Sequence, residues 1–192
     1  MIWSPRTWIL KVTEQLDMFP DQATADFSPC RTWRYSLTRT WDPNVPPLVW
    51  LMCNPSIADE NKLDPTLRRV RGFSIREGAG GFVVLNLFAL VSTDPKGLKT
   101  HNDPIGDRND EVIASLTKGK TVIAGWGRVG GVFVHRVQSV RRLLDGPLMC
   151  LGVTRKEKHP KHPLYLKKTD SLACLDKAQS TVSPVAAVES KP

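Results

Sequence analysis

The stretch Gly81-Phe82-Val83-Val84-Leu85-Asn86 constrains this chain more than any other. Its apolar, β-branched residues read as a buried strand, and the asparagine ends it abruptly. Inside a strand an unpaired amide costs roughly 1–3 kcal/mol. At a strand's carboxyl end the same amide lies where open α/β sheets bind ligands. Other apolar runs stop in a similar way, at Cys53-Asn54-Pro55-Ser56, at Gly125-Trp126-Gly127 and, later, ahead of His162-Pro163. Four such ends gathered on one rim would make a site.

Helical patterns alternate with these runs. Asp64-Pro65-Thr66 starts a helix, with Asp64 as N-cap, Pro65 in the first turn and Leu67, Val70 and Phe73 or Ser74 on one face. Gly78, Gly80 and Gly81 end it. Residues 109–116 form a second helix with Asp110 and Glu111 in its first turn, as the helix dipole favours. Residues 132–144 form a third, with Val134, Val137, Val140 and Leu144 inward and Arg136, Arg141 and Arg142 outward. Strands are expected at 32–37, 48–53, 81–86, 121–126 and 148–153. Strands alternating with helices imply parallel pairing through crossovers. The expected fold is α/β: a three-layer α/β/α sandwich with a mainly parallel central sheet. Residues 1–28 read as a flexible extension, 29–170 as the domain and 171–192 as a polar, small-residue disordered tail.

The charge balance narrows the partners. A net charge of +8 and a pI near 9.5 favour an anionic partner, nucleic acid being the commonest, or else only a soluble basic surface. Cys30, Cys53, Cys150 and Cys174 show neither CxxC nor metal spacing, so a reduced, cytoplasmic protein without metal or cofactor is expected. Residues 8–10 are too short an apolar stretch for a signal peptide, and no membrane span is expected.

Each rim motif has a chemical reading and a plainer one. In Asn54-Pro55-Ser56, the proline stops the strand, Asn54 could hold a water and Asp59 could act as a base. Otherwise Asn54 and Ser56 only satisfy their own turn. His162, held by Pro163, could donate a hydrogen bond to developing negative charge; a basic surface turn is the alternative. Two histidines, His159 and His162, lack the further ligands a metal would want. Gly127, Gly130 and Gly131 would let backbone N–H groups approach an anion, although no Walker or dinucleotide pattern is present. Trp126 would pack under the rim. Arg68, Arg69, Arg71 and Arg76 make the first helix basic, which suits either solvent or DNA.

The motifs Asn54-Pro55-Ser56-x-Ala58-Asp59, Asp64-Pro65-Thr66, Asn86-Leu87-Phe88-Ala89, Asp103-Pro104-x-Gly106, Trp126-Gly127 and His162-Pro163-Leu164-Tyr165 span about residues 30–166. Together they resemble an uncharacterised bacterial and phage family known only as domain of unknown function 1643. More distantly, their order is similar to that of the uracil-DNA glycosylase superfamily. That second resemblance implies a DNA glycosylase-like hydrolase of the N-glycosidic bond of an altered or modified base, with a uracil-DNA glycosylase-like fold. Asn54 would position the attacking water, with Asp59 as base, and His162 would stabilise the leaving base. Asn86 would read the flipped base, with Phe88 or Trp126 packed nearby. Ser56, Arg68, Arg69, Arg128, Lys161 and Tyr165 are the expected DNA contacts. Leu164-Tyr165 replaces the superfamily's serine-rich ending, which weakens the implied phosphate grip and wedge.

Residues Gln15-Leu16-Asp17-Met18-Phe19 resemble the short peptide by which bacterial repair and replication proteins dock on the sliding clamp. Leu16, Met18 and Phe19 would fill apolar pockets and Gln15 would hydrogen-bond. Two other functions stay open: a non-catalytic protein that binds nucleic acid or a base, and an enzyme acting on free nucleotides.

Overall fold

The computed structural model describes residues 22–56, 63–94, 97–129 and 133–180. In chain order the elements are β1 (Gln22–Phe27), β2 (Arg34–Thr40), β3 (Pro47–Met52), α1 (Pro65–Arg76), β4 (Gly81–Asn86) and α2 (Gly97–Thr100). Then come α3 (Asn109–Thr117), β5 (Val122–Ala124), α4 (Phe133–Arg141), β6 (Leu148–Cys150), a 3-10 turn (Pro163–Tyr165), β7 (Ala173–Cys174) and α5 (Leu175–Ser180). The fold is α/β. Its single seven-stranded sheet has the order β1-β2-β4-β3-β5-β6-β7.

The sheet is mixed, which corrects the expectation of a mainly parallel one. The β4-β3, β3-β5 and β5-β6 pairs are parallel, whereas β1-β2, β2-β4 and β6-β7 are antiparallel. The parallel centre corresponds to the apolar runs that alternate with helices. Among the antiparallel additions β2 is expected as a strand, whereas β1 and β7 come from chain that the hydrophobic pattern marks weakly. β1 lies in the segment expected to be a loose extension; its exposed and half-buried residues are held to β2 by backbone pairing from Gln22↔Thr40 to Phe27↔Arg34. A polar edge strand carries little periodicity to read. β7 and α5 likewise occupy residues 173–180 of the expected tail, and Leu175 is fully buried.

β2 and β3 are joined by a tight turn yet do not pair, because β4 inserts between them. The insertion needs glycine. A Cβ on Gly80 would fall 2.2 Å from the Asp42 carbonyl and 2.3 Å from that of Val45. The Trp41 and Asp42 N–H groups both donate to the Gly80 carbonyl, each at 2.9 Å.

Successive residues of the central strands feed two separate cores, as a pleated strand requires. Val49, Leu51, Val83, Leu85, Val122 and Ala124 pack with Ile113 of α3 and with Phe133 and Val140 of α4. Trp50, Met52, Phe82, Val84 and Ile123 pack with Leu67, Val70 and Phe73 of α1. α1 forms as its sequence indicates: Asp64 accepts from the Leu67 N–H at 2.7 Å, Pro65 occupies the first turn, and Leu67, Val70, Phe73 and Ser74 are buried. α4 departs from its pattern. Its buried face is Phe133, Arg136 and Val140, with Val134 exposed. Arg136 turns inward because a buried carbonyl and an acid wait there: its Nε donates to Leu87 O at 2.6 Å, and it pairs with Asp110 at 2.5 Å. Among the described residues no helix is long and apolar enough to cross a membrane.

Candidate active site

β3 and β4 run parallel with Met52 opposite Asn86, so their carboxyl ends lie side by side. From β3 the chain passes to α1, which packs in one core; from β4 it passes to α3, which packs in the other. Neighbouring strands whose connections diverge to opposite faces leave a crevice beyond their ends, the usual ligand position in such sheets. A cleft of about 160 Å³ lies there. That is the scale of a roughly 150 Å³ cavity known to admit one six-membered ring.

Asn54, Ser56, Asn86 and His162 all line this cleft, although they are scattered over the chain. Asn54 follows β3, and its Nδ2 donates to the carbonyls of Pro55 at 2.9 Å and Ser92 at 2.8 Å. Both amide hydrogens are therefore used, and Oδ1 is left as the acceptor. The Ser92 N–H returns a bond to Pro55 O at 3.0 Å, so the turn is docked on residues 86–92 rather than floating.

Asn86 is 1% exposed and its Nδ2 has no hydrogen-bond partner among the described residues. Its backbone, by contrast, is braced. Asn109, fully buried, donates from Nδ2 to the carbonyls of Asn86 at 3.1 Å and Leu87 at 3.2 Å. The Leu87 and Phe88 N–H groups continue the pairing to Met52 O and Cys53 O. A rigid backbone thus holds an unsatisfied amide at the back of a cleft. Such a group is expensive unless something else completes it.

His162 caps the 3-10 turn, its Nδ1 accepting from the Leu164 N–H at 3.4 Å. Nδ1 as acceptor places the ring proton on Nε2. Burial pulls the imidazole pKa below its ordinary value, with the nearby Asp64 charge pulling the other way. The result is a neutral ring with one N–H to donate. The strand end Gly125-Trp126-Gly127 supports it from behind: Gly127 has φ +74°, and a Cβ there would stand 3.2 Å from His162 Cβ. Arg69 ties the same turn to α1, donating to the carbonyls of Pro163 and Leu166.

The rest of the lining settles what chemistry is present. Cys53 lines the cleft, but burial pushes its thiol up to about 11, so it is protonated at neutral pH and no thiolate nucleophile is available. Asp64 supplies the only carboxylate among the described lining residues, with one oxygen used as the α1 cap. Its sequence signal, the Asp-Pro start of a helix, revealed the cap and not the site. Arg34, 3% exposed, adds a guanidinium, and nothing in the strand pattern of β2 singles it out.

Several expected residues lie elsewhere. Phe88 is a core residue, 4% exposed and edge-on to Phe133 at 4.9 Å, because it points into the α3 and α4 side of the sheet. Trp126 is 4% exposed in the same core, and its indole N–H has no partner among the described residues. Neither lines the cleft. Arg128 is exposed and paired with Glu157 at 2.5 Å. Tyr165 is 78% exposed, its ring 6.1 Å from that of His162, and Lys161 is half-buried one residue before that histidine. Arg68 is exposed on α1, away from the cleft lining. Asp59 and the peptide Gln15-Leu16-Asp17-Met18-Phe19 lie outside the described residues.

No curated protein and no solved structure gives a significant match to this chain. A family described as protein of unknown function (DUF1643) matches residues 34–164, a span that holds Asn54, Asn86 and His162. The chain belongs to that family.

Proposed function

We propose that the cleft receives a single nucleobase extruded from DNA and that the protein hydrolyses its N-glycosidic bond. One observation carries this reading: the buried, unpartnered Asn86 amide shares a cleft of one-ring size with a neutral His162 donor and with Asn54. An amide presents a donor and an acceptor together, which matches the edge of a base. The basic charge suits the polyanion that carries it.

In the proposed reaction a water accepted by Asn54 Oδ1 attacks C1′ of the sugar. The C1′–N bond breaks with its electron pair going to the base, and the His162 N–H stabilises the anion that leaves. The water's proton passes to a carboxylate: Asp64, which lines the cleft, or Asp59, the base that the sequence suggests. Removal of one such hydrogen-bond donor typically costs about 10²–10³ in rate. With Phe88 and Trp126 in the core, the base would be packed by Met52, Leu67 and Val84, while the exposed Tyr165 is free to contact the strand. The two cores on opposite faces of the sheet support a three-layer arrangement, and the order of rim motifs supports a uracil-DNA glycosylase-like one. Action in the cytoplasm and docking on a sliding clamp through residues 15–19 belong to the same reading.

The test is a panel of duplex and single-stranded oligonucleotides carrying uracil, mismatched and modified bases, scored for alkali-labile abasic sites. Strand cleavage with one base, lost in Asn54→Ala and His162→Ala, is expected. Tight DNA binding with no abasic product from any base would leave a binding protein instead. Turnover of free nucleosides or nucleotides in preference to DNA would also overturn the reading.

A further inference from the structure

A second cavity, of about 460 Å³, lies along α1 and is lined by Arg68, Arg69, Gly72, Phe73, Arg76 and Lys168. Four of those six residues are cationic and none is acidic. Arg76 pairs with Glu77, whereas Arg68 and Lys168 form no ion pair among the described residues. The walls are fixed before any ligand arrives: Arg69 holds the carbonyls of Pro163 and Leu166, and Arg76 holds that of Lys168 at 2.8 Å. Both guanidinium groups also sit over the Phe73 ring, at 4.9 and 5.0 Å.

The floor of the cavity is Gly72, in the middle of a 12-residue helix. Glycine there weakens a helix relative to alanine. Nothing inside the protein asks for it, since a Cβ at Gly72 would meet no atom within 4 Å. A mid-helix glycine opening into a ring of cations is suited to an anionic backbone that must come close.

The first turn of α1, through Thr66 and Leu67, lines the cleft described above, and the same helix carries this groove. The six residue steps of helix from Thr66 to Gly72 span about 9 Å, a few nucleotide steps at most. We infer that the groove is a phosphodiester site that holds the nucleic-acid strand next to the base in the cleft. Arg68 and Lys168 supply the charges that touch phosphate, and Gly72 supplies the room. The inference rests on the proposed DNA substrate for its geometry, but its test needs no catalysis.

The full-length protein is titrated into a short labelled single strand of unmodified bases, and anisotropy is followed across salt concentrations. Arg68→Gln with Lys168→Gln should weaken binding about tenfold near 0.1 M salt and reduce the log–log salt slope by about 1.4, the value for two single-strand phosphates. Gly72→Gln should retain or raise thermal stability and yet weaken binding comparably. The pair Lys118→Gln with Arg142→Gln removes the same charge from the ends of α3 and α4 and should leave the slope unchanged. Equal losses in both pairs, or no loss with Gly72→Gln, would overturn the inference. So would displacement of the strand by tripolyphosphate as effectively as by unlabelled strand at equal phosphate. Binding that behaves as expected without abasic product would remove the glycosidic reading and leave the groove standing.

Discussion

Two buried asparagines, at the end of β4 and the start of α3, meet at one carbonyl and have opposite roles. Asn109 is fully buried and spends its amide hydrogens on Asn86 O and Leu87 O. Asn86 is as deeply buried, but its own amide nitrogen has no partner among the described residues and Asn86 lines the cleft. Each leaves one polar atom unsatisfied, since Asn109 Oδ1 also lacks a partner. The difference is that Asn109 completes the backbone of the fold, while the Nδ2 of Asn86 is completed by nothing among the described residues. Residue type and burial do not distinguish a brace from a reader; the direction of its hydrogen bonds does.

Substitution can break that contrast. Asn109→Leu should have the larger effect, roughly 2–3 kcal/mol of lost stability in urea unfolding, because it strips a donor from two buried carbonyls. Gly127→Ala comes next. At φ +74° an added Cβ is strained by about 1–2 kcal/mol and presses on His162, so product formation should fall along with stability. Asn86→Leu should be neutral or stabilising by about 1 kcal/mol, since an unpaired buried amide is replaced by an apolar group of similar size. The same variant should lose base-dependent binding. If Asn86→Leu instead destabilises as much as Asn109→Leu, both asparagines are braces and the cleft loses its reader.

The smallest effect sharpens the site's electrostatics. Burial holds the folded His162 pKa below its ordinary 6.5. Between the lowered value and 6.5 the unfolded chain binds more protons than the folded one. Stability should therefore rise with pH across that window and decline as pH falls through it. His162→Gln should flatten this slope in thermal melts taken across the window; an unchanged slope would mean the imidazole is not held neutral.

Much of the site was legible because it rests on local rules. A proline stops a strand and an asparagine ending an apolar run has few other uses, which singles out Asn54, Asn86 and His162 as cleft residues; Asp64 was legible only as a helix cap. For an equally physical reason, Phe88 does not line the cleft. One residue along a strand end reverses the face to which a side chain points, and the sequence does not say where pleating stops. Arg136 reads as solvent-facing from its charge, and the carbonyl of Leu87, 49 residues away, together with Asp110 draws it inward.

Patterning alone determined that this chain is α/β, that β4 ends at Asn86 and which helix begins at Asp64, because hydrophobic period and capping act within a few residues. The tertiary structure alone decided that β4 inserts between β2 and β3, that a polar segment becomes the edge strand β1, and that one helix lines both the cleft and a cationic groove. Those outcomes depend on hydrogen bonds and packing between segments far apart in the chain, and such partners leave no mark on the local sequence of either segment.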